Sequence, residues 1–144
     1  MKKGLLTIIA SFLVAAFTFA QEGGADFTFE KEVHDFGTVI EGDKAKYEFK
    51  FTNTGTEPLV LTAVNASCGC TTPEWTKEPV AAGATGIITV IYNSKNRPGP
   101  FNKSITIMSN AKTPRKVIYI KGKVEKGTAS DDGTPANENS GPTE

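Results

Sequence analysis

Lys44-Ala45-Lys46-Tyr47-Glu48-Phe49-Lys50-Phe51-Thr52-Asn53 alternates apolar and polar side chains over ten residues. Successive side chains of an extended chain point to opposite faces, so Ala45, Tyr47, Phe49 and Phe51 share one side and Lys46, Glu48, Lys50 and Thr52 the other. This is a strand with one dry and one wet face. The turn-forming run Asn53-Thr54-Gly55-Thr56-Glu57-Pro58 follows it, and a second extended run spans Leu59 to Val64.

The same pattern continues toward the C-terminus. Gly86 to Tyr92, Phe101 to Met108 and Lys116 to Val124 read as strands, separated by the polar connections Asn93 to Pro100 and Asn110 to Pro114. Toward the N-terminus, Phe27-Thr28-Phe29 reads as a short strand, and Asp35 to Val39 as a second piece of it after an irregular step. No stretch repeats apolar residues at helical spacing over three turns. Seven strands with frequent turns predict an all-β, immunoglobulin-like antiparallel β-sandwich. The antibody version, whose disulfide joins opposite sheets, is excluded, because Cys68 and Cys70 stand on one connection. Lys116, Lys121 and Lys123 suit an exposed last strand on which charge discourages edge pairing.

Lys2 and Lys3 precede an apolar run from Leu5 to Phe17 that ends in Thr18-Phe19-Ala20, the form of a secretory signal peptide over 1–20. The run is too short to span a membrane, and no later segment reaches the length required. Cleavage leaves Gln21 first, so a lipoprotein anchor, which needs a cysteine there, is not expected. The remaining chain divides into a short leader (21–25), a sandwich domain (26–126) and an acidic tail (127–144). The domain holds 14 basic and 11 acidic side chains; the tail holds four acids, no bases and no large aliphatic or aromatic residue. Such a tail buries too little apolar surface to offset the entropy of ordering, which predicts disorder. Neither balance carries a nucleic-acid footprint. Export predicts a periplasmic or extracellular location, where two nearby thiols oxidise by default.

His34-Asp35-Phe36-Gly37, Phe51-Thr52-Asn53-Thr54-Gly55 with Pro58-Leu59, Ser67-Cys68-Gly69-Cys70-Thr71, Gly99-Pro100-Phe101-Asn102-Lys103 and Ile120-Lys121-Gly122 together resemble the family catalogued as domain of unknown function 1573. The resemblance spans nearly the whole domain. It implies an exported bacterial protein of the kind common in Bacteroidetes, with a sandwich akin to ciliary and major-sperm-protein modules. It implies no activity. Two departures stand out: many such proteins carry a lipoprotein signal, absent here, and Ala82-Gly83 stands where Pro-Gly is usual.

Cys68 and Cys70 are the only cysteines, one residue apart, and three chemistries fit them: a tight local disulfide, a redox couple or a two-thiolate ligand set. As a staple the pair is weak, since closing three residues yields about 1.5 kcal/mol at best, against about 3 for a loop of roughly 15. Gly69 gives the backbone freedom that either a tight ring or a ligand loop requires. For thiol exchange the neighbouring charges Glu74, Lys77 and Glu78 give little activation, and no Cys-x-x-Cys opens a helix. Among metals, copper(I) suits two thiolates, whereas zinc wants four donors and the chain adds only His34. His34 otherwise reads as a structural hydrogen-bonding residue ahead of the Asp35-Phe36-Gly37 bend, and Met108 as a packing residue. Trp75 is either a partner anchor or a lid on the core. Asn65-Ala66-Ser67 and Asn102-Lys103-Ser104 match glycosylation acceptors, weak signals in a bacterial chain.

One histidine supports no Ser-His-Asp constellation, and no phosphate loop or carboxylate pair stands out. The expected function is therefore that of a non-catalytic exported module, without cofactor. It would bind a protein or cell-envelope partner through a loop presenting Ser67, Gly69, Thr71 and Trp75. The rival expectation is a periplasmic thiol-disulfide or copper(I)-handling protein using Cys68 and Cys70.

Overall fold

A computed structural model describes residues 23–127. The expected signal peptide and all but the first residue of the expected acidic tail lie outside them. Eight strands follow in order: β1 (Phe27–Phe29), β2 (Val33–Ile40), β3 (Lys44–Asn53), β4 (Leu61–Ala66), β5 (Thr71–Trp75), β6 (Thr85–Asn93), β7 (Gly99–Ser109) and β8 (Arg115–Glu125). They form two four-stranded sheets, ordered β1-β3-β6-β5 and β2-β8-β7-β4. The alternation in β3 does what the sequence requires: Phe49 and Phe51 turn into the core at 1% and 0% exposure, while Lys46, Glu48 and Lys50 face water. Ile88 and Val90 of β6, Ile105 and Ile107 of β7, and Ile118 and Ile120 of β8 close the same core with no exposed surface.

The sandwich departs from the sequence expectation in four places. Asp35 to Val39 does not extend β1; it belongs to β2, in the other sheet. β2 pairs with β8 in parallel, the one exception to antiparallel pairing between named strands, with a register shift between Asp35 and Thr38. β8 is an interior strand, so its lysines do not guard an edge: Lys121 and Lys123 lie on the outer face, and Lys116 lies half-buried with its ammonium donating to the Phe27 carbonyl. The fourth departure is β5. The stretch from Cys68 to Trp75 is not one loop but a turn followed by a five-residue edge strand paired with β6.

The four sheet edges are each shortened, bulged or blocked, which discourages strand addition. β1 has three residues, and β2 and β4 carry register shifts. In β5, Asn93 N–H donates to Cys70 O and Thr76 N–H to Ile87 O. With the intervening Thr71↔Tyr92 to Trp75↔Ile88 register, residues 70, 72, 74 and 76 then bond β6, and Pro73 presents its missing N–H to the open side.

Candidate functional site

The family-like motifs have structural occupations. Asn53 is fully buried; its Nδ2 donates to Glu57 O and Val80 O, both at 2.8 Å, and its Oδ1 accepts Gly55 N–H at 3.0 Å. It ties the β3–β4 turn to the segment leading into β6. Gly55 admits no side chain, since a Cβ would stand 2.2 Å from Gly24 O. His34-Asp35-Phe36-Gly37 forms the β2 bulge: Asp35 Oδ1 accepts Gly37 N–H at 2.8 Å, and Gly37 takes a left-handed φ of 64°. That hydrogen bond, then the Lys121 ammonium 3.5 Å away, holds the Asp35 carboxyl below its usual range. Gly122 lies beneath, where a Cβ would come within 2.9 Å of Gly37 O and the Phe101 ring. A shallow depression lined by Asp35, Asn102, Lys121 and Lys123 opens there, and its two cations are paired, Lys121 with Asp35 and Lys123 with Glu125 at 2.8 Å.

His34 stacks on Tyr47, ring centroids 3.5 Å apart and 11° from parallel, with Phe36 edge-on at 4.5 Å. Its Nδ1 is buried without a hydrogen-bond partner, and burial pushes the imidazole below its usual value, with Lys31 adding to the effect and Asp35 opposing it. The ring therefore packs between the sheets instead of serving the bend through hydrogen bonds.

The cysteine turn carries the chain from β4, an edge of one sheet, to β5, an edge of the other. The two Sγ atoms lie in bonding contact, with Cα atoms 5.3 Å apart, inside the range a disulfide takes. Cys68 is half-buried and Cys70 is 4% exposed. Thr71, also buried, places Oγ1 3.7 Å from each sulfur, and its N–H donates to Cys68 O. Ser67 is bound to β7 from both directions, N–H to Ser104 O at 2.9 Å and Oγ from Ser104 N–H at 3.2 Å. No atom lies within 4 Å of a Cβ built on Gly69, which caps the turn in open space.

The structure gathers Ser67, Cys68, Gly69, Cys70 and Thr71 but not Trp75. At about 3.4 Å per residue, four steps of β5 carry Trp75 roughly 13 Å from Thr71. Trp75 packs half-buried against the core with Lys77 over its ring, and its Nε1 is buried without an acceptor. His34 is also far from the thiols. The register row His34↔Ile120↔Lys103 continues toward Cys68, which follows the Ser67–Ser104 contact. Three inter-strand steps of about 4.8 Å put His34 roughly 14 Å from Cys68. Among the described residues no group of three or more His, Cys, Asp and Glu side chains could hold a metal ion. No helix among them is long and apolar enough to cross a membrane.

One surface escaped the sequence reading. Val33, Met108 and Tyr119, at 42%, 37% and 41% exposure, all lie on the outer face of the β2-β8-β7-β4 sheet, where Val33 pairs with Tyr119, Tyr119 with Ser104, and Met108 with Arg115. Met108 thus faces outward, because Ile105 and Ile107 take the inward positions of β7. The opposite outer face carries Lys44, Lys46, Glu48 and Lys50 of β3, with Ile87 of β6, 37% exposed, opposite Lys50. The alternation held this signal: β7 places Asn102, Ser104, Thr106 and Met108 on the nominally wet side, and β8 sets Val117 and Tyr119 between Arg115 and Lys121 there.

A family model described as "Protein of unknown function (DUF1573)" matches residues 27–124. No curated protein matches the sequence. Among solved structures, a protein of unknown function from Porphyromonas gingivalis W83 is similar at 16% identity and a TM-score of 0.61, over 70% of this chain and 47% of that one. The chain therefore spans about half that protein's length. The ASH/PapD-like domain 7 of human CEP192 is similar at 8% identity and a TM-score of 0.62, over 87% of this chain and 100% of that domain. The YadV chaperone follows at 12% identity and 0.53, over 69% and 52%. At these identities the likeness concerns the fold.

Proposed function

The chain belongs to the DUF1573 family of proteins of unknown function, and from that premise we propose that it is an exported, non-catalytic immunoglobulin-like module that binds a protein partner at the cell envelope. The observation that carries this reading is the asymmetry of its two outer faces. One carries Lys44, Lys46, Glu48 and Lys50 along β3, with the single exposed Ile87 of β6 beside Lys50; the other groups the exposed Val33, Tyr119 and Met108 around the half-buried Val117, with Arg115 and Lys121 at the margin. Exposed apolar residues grouped on a flat face and rimmed by charge are the form of a protein contact surface. The margin and the domain's excess of bases suit a partner with an acidic rim around an apolar patch.

The blunted edges turn the mode of binding away from strand addition and toward face packing. Ser67, at the cysteine turn, pairs with Ser104 and so borders this face, whereas Trp75 does not. The signal peptide at 1–20 delivers the chain to an oxidising compartment, where Cys68 and Cys70 pair. The test is site-specific photocrosslinking in the native host, with the crosslinker at Tyr119, at Lys46 and at Trp75. A single partner trapped from Tyr119, and released in vitro by Tyr119→Glu, supports the reading; trapping from Lys46 or Trp75 but not Tyr119 overturns it.

A further inference from the structure

The cysteine corner has features that a contact surface does not use. A ring of three residues contributes little as a staple, so stability does not account for placing both cysteines there. The two sulfurs are unequal: Cys68 is only partly buried, whereas Cys70 is 4% exposed. A buried hydroxyl, Thr71 Oγ1, stands 3.7 Å from both. The adjoining strand carries a cation at this level. Lys103 occupies an inward position of β7, between Phe101 and Ile105 and opposite Ile120, all three buried. Because Ser67 N–H donates to Ser104 O, the next residue, Cys68, comes level with Lys103 on the adjoining segment. A lysine ammonium brought to the cysteine turn from this neighbouring strand would favour a thiolate there. This neighbour is not apparent in sequence, where the nearest charge to the pair is Glu74, four places after Cys70, while Lys103 follows Cys70 by 33 places.

We propose that Cys68–Cys70 is an exchange-competent disulfide that accepts two electrons from an external dithiol, with Cys68 the sulfur attacked. A thiolate of the dithiol attacks Cys68 Sγ; a mixed disulfide forms, the Cys68–Cys70 bond breaks, and the electron pair leaves on Cys70 Sγ, to which Thr71 Oγ1 donates a hydrogen bond. The second thiol of the same molecule, deprotonated, then attacks the sulfur of its own mixed disulfide and expels the Cys68 thiolate beside Lys103. The dithiol departs as a disulfide, and its two protons and two electrons remain on Cys68 and Cys70 as thiols. No metal or cofactor enters. This inference is independent of the proposed partner face and stands or falls without it.

Two experiments on the full chain test it. In the first, the reduced protein is labelled with substoichiometric iodoacetamide near neutral pH and mapped by mass spectrometry. Cys68 should be labelled about tenfold faster than Cys70, and Lys103→Gln, checked for a native circular dichroism spectrum, should slow Cys68 by about threefold to tenfold. Equal labelling of the two sulfurs, or no effect of Lys103→Gln in a folded variant, overturns the assignment of roles. In the second, the oxidised chain is equilibrated with dithiothreitol and with glutathione buffers and quenched in acid. Substantial reduction at about 10 mM reduced glutathione supports exchange, while a pair that stays oxidised there is structural and overturns the proposal.

Discussion

Asn53 Nδ2 donates to the carbonyl of Val80, 27 residues further along, at 2.8 Å and in a fully buried setting. The same amide serves Glu57 O, and its oxygen accepts Gly55 N–H. Asn53→Ala leaves two carbonyls and one amide to find new partners; Asn53→Asp keeps the acceptor, loses both donors and buries a charge. Each unsatisfied buried group costs about 1–3 kcal/mol, so both variants should lose about 2–4 kcal/mol. Urea unfolding followed by circular dichroism measures this, and an unchanged midpoint for Asn53→Ala would refute the role given to this side chain.

Gly86 lies against the Phe51 ring, and a Cβ there would stand 2.2 Å from Phe51 Cζ. Phe51 is wholly buried and meets Phe27 and Phe29 edge-on at 5.6 and 5.7 Å, so it cannot move aside freely. Gly86→Ala should cost about 1–3 kcal/mol through overpacking. Phe51→Leu on its own opens a space, and the double variant should be more stable than the sum of the two losses implies. A double-mutant cycle reads that coupling directly.

His34, stacked on Tyr47 with Nδ1 buried and unpaired, gives stability a pH dependence. Burial lowers its pKa from 6.5 in the folded state. The unfolded chain therefore binds the proton more readily, and the contribution of neutral His34 is complete above about 6.5 and is lost as pH falls through the lowered folded value. Melting temperature should fall between pH 7.5 and 5, and His34→Phe, which keeps a ring against Tyr47, should flatten that part of the profile. An equally steep profile in His34→Phe assigns the dependence to other groups.

The sandwich was legible where one face is dry and the other wet, as in Phe49 and Phe51 against Lys46 and Glu48. It was less so at Thr71-Thr72-Pro73-Glu74-Trp75. A proline and a glutamate disfavour strand, and an edge position buries only part of the inward side, so the alternation is faint. Asp35 to Val39 was recognised as extended, but the bulge at Gly37 hid its sheet, since pairing with β8 is set across 85 residues of chain by packing. At the site, the adjacency of Cys68 and Cys70 is explicit in sequence. Lys103, Ser104 and the Met108–Tyr119 face reach their places only through register, which no local pattern states.

Pro73 has a role that its neighbours do not share. On β5 it faces the open side of the strand, flanked by Thr71, whose N–H already donates to Cys68 O, and by Trp75. Pro73→Val restores one N–H to that edge without changing the β6 ladder. It should raise self-association in a concentration-dependent way, measured by sedimentation velocity, while the melting temperature at low concentration stays near wild type.

The cysteine pair can be tested as a staple with no substitution at all, which avoids disturbing the packing around the buried Cys70. Urea unfolding of the same protein, oxidised and then reduced by a phosphine, isolates the bond. For a closed loop of three residues the unfolded-state entropy argument allows about 1.5 kcal/mol at most, whereas staples of small secreted domains give about 2–5. The core of Phe49, Phe51, Ile88, Ile105 and Ile118 does not depend on the turn, so the reduced protein should stay folded and lose no more than the smaller figure. A loss of about 3 kcal/mol or more would make the bond a principal support of the β4–β5 crossover and would remove the argument that its position is explained by chemistry.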